Sequence, residues 1–468
     1  MAERVLWTID ELMAAAGGSL RGQVVVSLTG VSIDSRSVAK GDIFAAIKGD
    51  RVDGHDYAAA ALGSGAGLAI VSRPTEAMAA AGPLLIVDDV LKALEKMGLA
   101  ARARCKARII AVTGSVGKTS TKEMLRLALS ASGYTHASVA SFNNHWGVPL
   151  TLARMPADTA FAVFEIGMNH AGEITPLVRM VRPHIALITT VAASHLGHFT
   201  SVAEIADAKA EIFNGLEPDG IAIVPNDTPH RDRLVKAARR HADRIVTFGG
   251  GDADVHAIHA VAAEGGGSLI SACLLERELT FTISQRGEHW VSNALAVLAA
   301  VEAVDEDVAV AGLALADLGG LKGRGERHII PVDGGDVLLV DESYNANPAS
   351  MAATLKSLGA EKDVQRRIAV LGPMRELGPH SDALHAAMAP WVLDAHVDEL
   401  ILIGDEMRPL AEQVVGRLSL DLVGTVDEAC RALLVKLRPG DAVLVKASNS
   451  VGLAKLVEHM VRQPECST

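Results

Sequence analysis

What most limits the folds open to this chain is a recurring unit: a short Val/Ile/Leu run that leads into an alanine-rich helical pattern. RIIAVTG, FAVFEIG, IALITTV, GIAIVP, RIVTFG, DVLLVDE, RIAVLG, ELILIG and DAVLVKA all fit it. Apolar runs of that length read as strands buried on both faces, and so as parallel sheets flanked by helices. This many units exceed one open sheet, and 468 residues at roughly 150 per domain give about three domains. The first boundary is expected near Ala107, after Arg102, Arg104, Lys106 and Arg108, a basic stretch that reads as a solvated helix end. LKGRGER, at Leu321–Arg327, interrupts the apolar pattern and marks the second. The expected domains are therefore residues 1–107, 108–324 and 325–468.

Charge narrows the function. Lysine plus arginine number 44 against 56 acidic residues, a net charge of −12. That balance argues against a nucleic-acid binder, which needs clustered cations, but leaves room for a small anion held by backbone amides. Cys105, Cys273, Cys430 and Cys466 are too far apart for a metal-binding or redox pair, as expected in a reducing compartment. The N-terminal stretch has no signal-peptide core, and no apolar run is long enough to cross a membrane. The expectation is a cytoplasmic protein.

RIIAVTGSVGKTSTKEML reads as strand, glycine turn and helix. Gly114 and Gly117 let the turn of Ser115 and Val116 bring its amides close to a ligand. The helix beginning near Lys118, Thr119 and Ser120 then offers unpaired N–H groups to phosphate oxygens. Lys118 reaches the terminal phosphates, and the Thr119 hydroxyl is placed for Mg²⁺. The pattern is the short T-G-x-x-G-K-T form, since Val112 stands where the longer motif has glycine. Glu165 closes a second strand, at the sheet edge where ligands bind, as a candidate metal carboxylate.

Ser201 and Glu204 have the spacing of a helix cap. In the helix that follows, Val202, Ile205, Ala206, Ile212 and Phe213 share one face, and Lys209 falls within it. Two readings fit that lysine. It snorkels or meets a buried acid, or it stays neutral enough to take up CO₂ as a carbamate that holds Mg²⁺. His195, directly after the strand IALITTVAAS, is a better ligand candidate than His198, and its oxygen-rich company favours magnesium over zinc.

Taken together, GSVGKTS, SFNNHWGVPLTLARMP, EIGMNHAGEI, SHLGHF with AKAEIF, DESYNANP and VLGPMRELG resemble the Mur ligase family. SIDSRSVAKGDIFAAIKGDRVDGHDY extends the likeness to nearly the whole chain. SYNANP and NNHWGVP are similar to the branch that joins D-alanyl-D-alanine to UDP-N-acetylmuramoyl-tripeptide. The resemblance implies an α/β protein of three domains: a smaller N-terminal domain for the UDP-substrate, a central P-loop domain for ATP, and a Rossmann-like C-terminal domain for the incoming dipeptide. It implies an ATP-dependent, amide-forming ligase that works through an acyl phosphate. The step is the last cytoplasmic peptide addition in bacterial peptidoglycan precursor synthesis.

ATP and two Mg²⁺ ions are the implied cofactors. Lys118, Lys209, His195 and Glu165 are the implied catalytic residues, with Thr119 also at the metal and Lys209 there if carbamylated. Asn293 matches an adenine contact, Arg324 an arginine near the phosphates, and Asp341 and Glu342 the ribose-contacting strand end. Tyr344, Asn345 and Asn347 follow in the same loop. Ser35, Arg36, Asp53, Gly54 and His55 match the uridine diphosphate end, and Asn143, Asn144 and His170 look like substrate-side residues. Trp290, Gly197, Glu342, Pro373 and Asn449 stand where the family often has other residues. A monomer is expected, without nucleic acid or membrane insertion, and open until its ligands bind. The competing readings are a ligase that adds a single amino acid, a folylpolyglutamate synthase, and a non-enzymatic nucleotide switch.

Overall fold

All nine apolar runs become strands with a parallel neighbour, because helices cover both faces of the sheets they enter. A computed structural model describes residues 5–24, 27–49, 51–139, 141–263, 266–275 and 277–462; Cys466 lies outside them. Among the described residues the strands form three mixed α/β sheets. The first contains β1 (Ser19–Arg21), β2 (Gly30–Ser32), β3 (Asp42–Ala45), β4 (Leu68–Val71) and β5 (Leu84–Ile86), in the order β1-β5-β4-β3-β2.

The second sheet contains β6 (Arg108–Thr113), β7 (Thr135–Ala137), β8 (Phe161–Glu165), β9 (Ile185–Ile188), β10 (Ile221–Pro225) and β11 (Arg244–Gly249). An antiparallel ribbon of β12 (Val255–Ala262), β13 (Ser268–Leu274) and β14 (Arg277–Ile283) extends it, giving the order β14-β13-β12-β11-β10-β9-β6-β8-β7. From β6 the order runs to β8 on one side and β9 on the other, so the turn after β6 opens at a topological switch point. One face of this sheet packs on the helices Lys118–Ser130 and Glu288–Ala303, the other on Ile174–Val181 and Val202–Ala210.

The third sheet contains β15 (Glu326–Val332), β16 (Gly335–Glu342), β17 (Arg366–Leu371), β18 (Glu399–Ile403), β19 (Ser419–Val423) and β20 (Asp441–Lys446), in the order β15-β16-β20-β17-β18-β19. β20 lies between β16 and β17 and sets Lys446 level with Glu342 and Leu371. Here too a switch point stands at the carboxyl ends of the strands.

The basic stretch before β6 is not the solvated helix end expected of it. Arg102 is buried and donates to Val181 O (2.8 Å), Arg182 O (2.8 Å) and Glu217 (3.2 Å). Arg104 lies over the Trp7 ring at 3.9 Å and donates to Leu6 O. Trp7 in turn donates Nε1–H to Ala153 O (2.9 Å). These guanidiniums fasten the first sheet to the central one, and carbonyls stand in for the water that hydrates an exposed arginine.

Two histidines make stability depend on pH. His136 bonds Thr151 O (2.8 Å), and burial with Arg154 nearby holds it down to about 4. His184 accepts from Ile109 N (2.9 Å), and burial with Arg108 and Arg102 nearby holds it down to about 4. Unfolded histidine takes its proton near 6.5, so the stability from both is complete above that pH and is lost as pH falls toward 4. By pH 5 His136 is expected to remove about 2 kcal/mol, and His184, only half buried, less because solvent screens it. Urea midpoints at pH 7.5 and pH 5 check this; equal midpoints would contradict it.

Candidate active site

Thr113 ends β6 buried, and the chain turns at two glycines that no other residue could replace. Gly114 has φ +152°, and a Cβ there would sit 1.9 Å from Thr189 Oγ1. Gly117 has φ +86°, and its Cβ would sit 2.6 Å from Asn293 Oδ1. The turn between them is already held. Ser115 N donates to Thr190 O (2.8 Å), Ser115 Oγ exchanges bonds of 3.0 Å with Ala192, and Thr189 Oγ1 donates to Val116 O (2.6 Å). The Ser115 hydroxyl therefore braces the loop, which leaves backbone amides to meet an anion.

Gly117 precedes the helix Lys118–Ser130 without any side-chain cap, so the first-turn amides are open to phosphate. Lys118 Nζ bends back onto Gly114 O at 2.6 Å. Burial lowers its pKa and Arg324 adds to this, while Glu165 opposes it. Thr119 Oγ1 donates to Glu165 Oε2 (2.9 Å) and lies 3.3 Å from Ser141 Oγ. Asn143 Nδ2 donates to Glu165 Oε1 (2.7 Å). One buried carboxylate thus collects a hydroxyl and an amide around the loop.

Ser201 caps the helix Val202–Ala210 by accepting from Glu204 N, while the Glu204 carboxylate turns to Thr200. The α-helix ends at Ala210, and a 3₁₀ turn carries Ile212 and Phe213 into the core. Lys209 is 1% exposed, and no hydrogen bond or ion pair reaches its amine among the described residues. Burial, with the Lys118 charge nearby, drives its pKa well below the ordinary lysine value. Of the two readings, the buried-acid partner is absent here. His195 has φ +57°, and its Nδ1 lies against the Glu376 carboxylate of the third domain. The Thr119 hydroxyl and the Glu165 carboxylate are oxygen donors, which suit a hard cation better than zinc.

Thr119, Glu165 and His195 open on a cavity of about 520 Å³ between the central and third domains. Ser115, Val116, Gly117, Lys118, Thr119, Ser120, Asn143, Glu165, His195 and Asn293 line it from the central domain. Arg324, Glu342, Tyr344, Asn345 and Asn347 line it from the junction and the third domain. Arg324 stacks on the Tyr344 ring at 4.2 Å. Glu342 pairs with buried Lys446 (3.2 Å), which also donates to Asn345 O (3.0 Å). Asn347 caps the helix Pro348–Gly359 and donates to Ser115 O (3.4 Å), so the third domain touches the phosphate loop.

Other candidates do not line the cavity. Asp341, expected beside a ribose, is 1% exposed, and its oxygens accept from Gly323 N (2.9 Å) and Ser343 N (3.0 Å). It shapes the junction turn, and Glu342 alone of the pair faces the cavity. Lys209 lies behind the wall, Asn144 Oδ1 accepts from Gly147 N (2.9 Å) at the start of the following helix, and exposed His170 pairs with Glu173. In the first domain Arg36 pairs with Asp34 on an exposed turn beside Ser35. Asp53 accepts from His55 N and from Arg73, and His55 Nε2 accepts from Ser72 N (2.9 Å), so Asp53, Gly54 and His55 build a turn. Lining residues not named as site candidates from the sequence include Ser141, which opens the SFNNHWGVP motif, and Thr189, Thr190, His289, Ser350 and Lys446. Lys446 did carry a signal, as a lysine ending an otherwise apolar strand.

Three segments match described families: residues 27–114 "Mur ligase family, catalytic domain", 112–301 "Mur ligase middle domain" and 323–449 "Mur ligase, glutamate ligase domain". The chain is 32% identical to the UDP-N-acetylmuramoyl-tripeptide–D-alanyl-D-alanine ligase of Rickettsia prowazekii, over 97% of this chain and 100% of that one. Its fold resembles MurF from Acinetobacter baumannii, with TM-score 0.84, 29% identity, and 98% and 99% of the two chains covered. It also resembles MurF ligase from Thermotoga maritima in complex with ADP, with TM-score 0.76, 25% identity, and 92% and 97% covered. With a phosphate loop facing a second sheet across one cavity, and with full-length likeness to these proteins, the chain belongs to the Mur ligase family. Among the described residues no helix is long and apolar enough to cross a membrane.

Proposed function

We propose that this chain joins D-alanyl-D-alanine to UDP-N-acetylmuramoyl-tripeptide at the expense of ATP. It is an ATP-dependent, amide-forming ligase of peptidoglycan precursor synthesis. The observation that carries the reading is the single cavity shared by the phosphate loop and the carboxyl ends of β16 and β20. Residues 1–107 take the UDP end, 108–324 take ATP, and 325–468 bring in the dipeptide. The chain acts as a monomer in the cytoplasm.

A carboxylate is a poor electrophile, and bringing it to a triphosphate sets two anions against each other. Lys118 and Arg324 supply the local cations that offset this repulsion. Thr119, Glu165 and His195, with Lys209 as its carbamate, would hold Mg²⁺, which when bound neutralises further phosphate charge. A neutral Lys209 amine forms an N–C bond with CO₂ and loses a proton, which turns an uncompensated cation site into an oxygen donor. The peptide carboxylate then takes the γ-phosphoryl group and ADP leaves. The dipeptide amine attacks the acyl carbon, and phosphate departs with one carboxylate oxygen. Asn293 and Glu342 flank the nucleoside, and Tyr344, Asn345 and Asn347 line the third-domain side.

Phosphate release from ATP tests the whole reading. It is expected only when UDP-N-acetylmuramoyl-tripeptide and D-alanyl-D-alanine are both present, and ¹⁸O in the tripeptide carboxylate is expected to appear in phosphate. Release with neither substrate, with a single amino acid, or with folate and glutamate would overturn it.

A further inference from the structure

The central and third domains meet at a contact built from backbone. Gly197 N donates to Glu376 O at 2.9 Å. A Cβ on Gly378 would sit 2.8 Å from Gly197 Cα, and one on Gly197 would sit 3.3 Å from Glu376 O and from Gly378 N. Such an approach needs glycine at 378, where φ is +55°, and leaves little room for a side chain at 197. The side chains beside it follow suit: Glu376 of the third domain lays its carboxylate against His195 Nδ1 of the central domain. His195 at φ +57° and Glu376 at φ +64° are both held in the left-handed region, which non-glycine residues seldom occupy. Strain of this kind persists where the surroundings fix it, and here each loop fixes the other.

A metal-bound imidazole is oriented through its second nitrogen, often by a carboxylate, and loss of that partner typically weakens metal binding about 10–100-fold. With Nδ1 against Glu376, Nε2 is the nitrogen left to a cation at Thr119 and Glu165. We infer that Glu376 is a positioning residue: through the Gly197–Gly378 contact, closure of the third domain brings its carboxylate to His195 and sets the imidazole for the divalent cation. The cation site is then complete only in the closed protein, so ATP activation is tied to the domain that delivers the dipeptide. This rests on the reading of His195 as a metal ligand.

The test uses the full chain with a non-hydrolysable ATP analogue and Mn²⁺ as probe, followed by electron paramagnetic resonance. Glu376→Ala is expected to weaken Mn²⁺ binding about tenfold or more and to raise the Mg²⁺ needed for half-maximal turnover in step. Glu376→Asp is expected to recover part of both, and Glu376→Gln, which keeps the shape, less of them. KM for D-alanyl-D-alanine is expected to move little. His195→Ala serves as reference. If it leaves Mn²⁺ binding unchanged, the metal reading of His195 falls and the inference with it. If His195→Ala weakens binding while both Glu376→Ala and Glu376→Gln leave it intact, the inference alone falls. A changed dipeptide KM with intact Mn²⁺ affinity would likewise reduce Glu376 to a structural latch.

Discussion

Lys209→Ala is expected to lower ligation by about a thousandfold or more, and short carboxylic acids are expected to restore part of the loss. The reason lies in the surroundings of the amine. Lys209 is fully enclosed, has no acid partner among the described residues, and has Lys118 as its electrostatic neighbour. An ammonium in that place is costly, so a charge on Lys209 cannot be what stabilises the fold. Lys209→Met separates the two roles. Methionine fills the same volume without a charge, and the variant is expected to unfold at the same urea concentration as the parent, or a higher one, while remaining inactive. Full turnover in either variant would remove the lysine from the chemistry, and a collapse of stability in Lys209→Met would assign it to the core instead.

The second large effect is at Lys118. Lys118→Met keeps the length and removes the cation that stands on Gly114 O at the mouth of the phosphate loop. Loss of one preorganised charge at a developing anion typically costs 10²–10³ in rate, and kcat/KM for ATP is expected to fall by about that much. The loop itself is braced by Ser115 and Thr189, so ADP binding is expected to fall far less than turnover. Calorimetric titration with ADP beside steady-state kinetics checks this; equal losses in both would mean that Lys118 only grips the nucleotide.

Much of this was legible in the residues, for physical reasons that differ from place to place. The parallel strands announced themselves because burial on both faces demands unbroken Val/Ile/Leu runs. The ribbon β12–β14 did not, since its outer face is exposed and HAIHAVA mixes histidine and alanine into the pattern. The phosphate loop was readable because its bend tolerates only glycine at 114 and 117. Lys209 stood out as a charge on an apolar face. Asp341 was misplaced because a strand-end acid can serve a ligand or a turn equally well, and the choice depends on Gly323, a neighbour supplied by the junction. Arg102 and Arg104 were misread because their partners, Val181 O, Glu217 and the Trp7 ring, lie far away along the chain. Lys446 needed the strand order of the third sheet, which sets β20 beside β16 and so pairs it with Glu342.

The bracing of the turn between Gly114 and Gly117 bears on how a nucleotide is captured. A segment already frozen in its working bend forfeits almost no configurational freedom when an anion arrives, so the penalty that floppy recognition loops suffer on docking is largely absent. Capture should then be governed by how often the neighbouring lobe swings aside to admit the visitor, and escape by how long it stays shut.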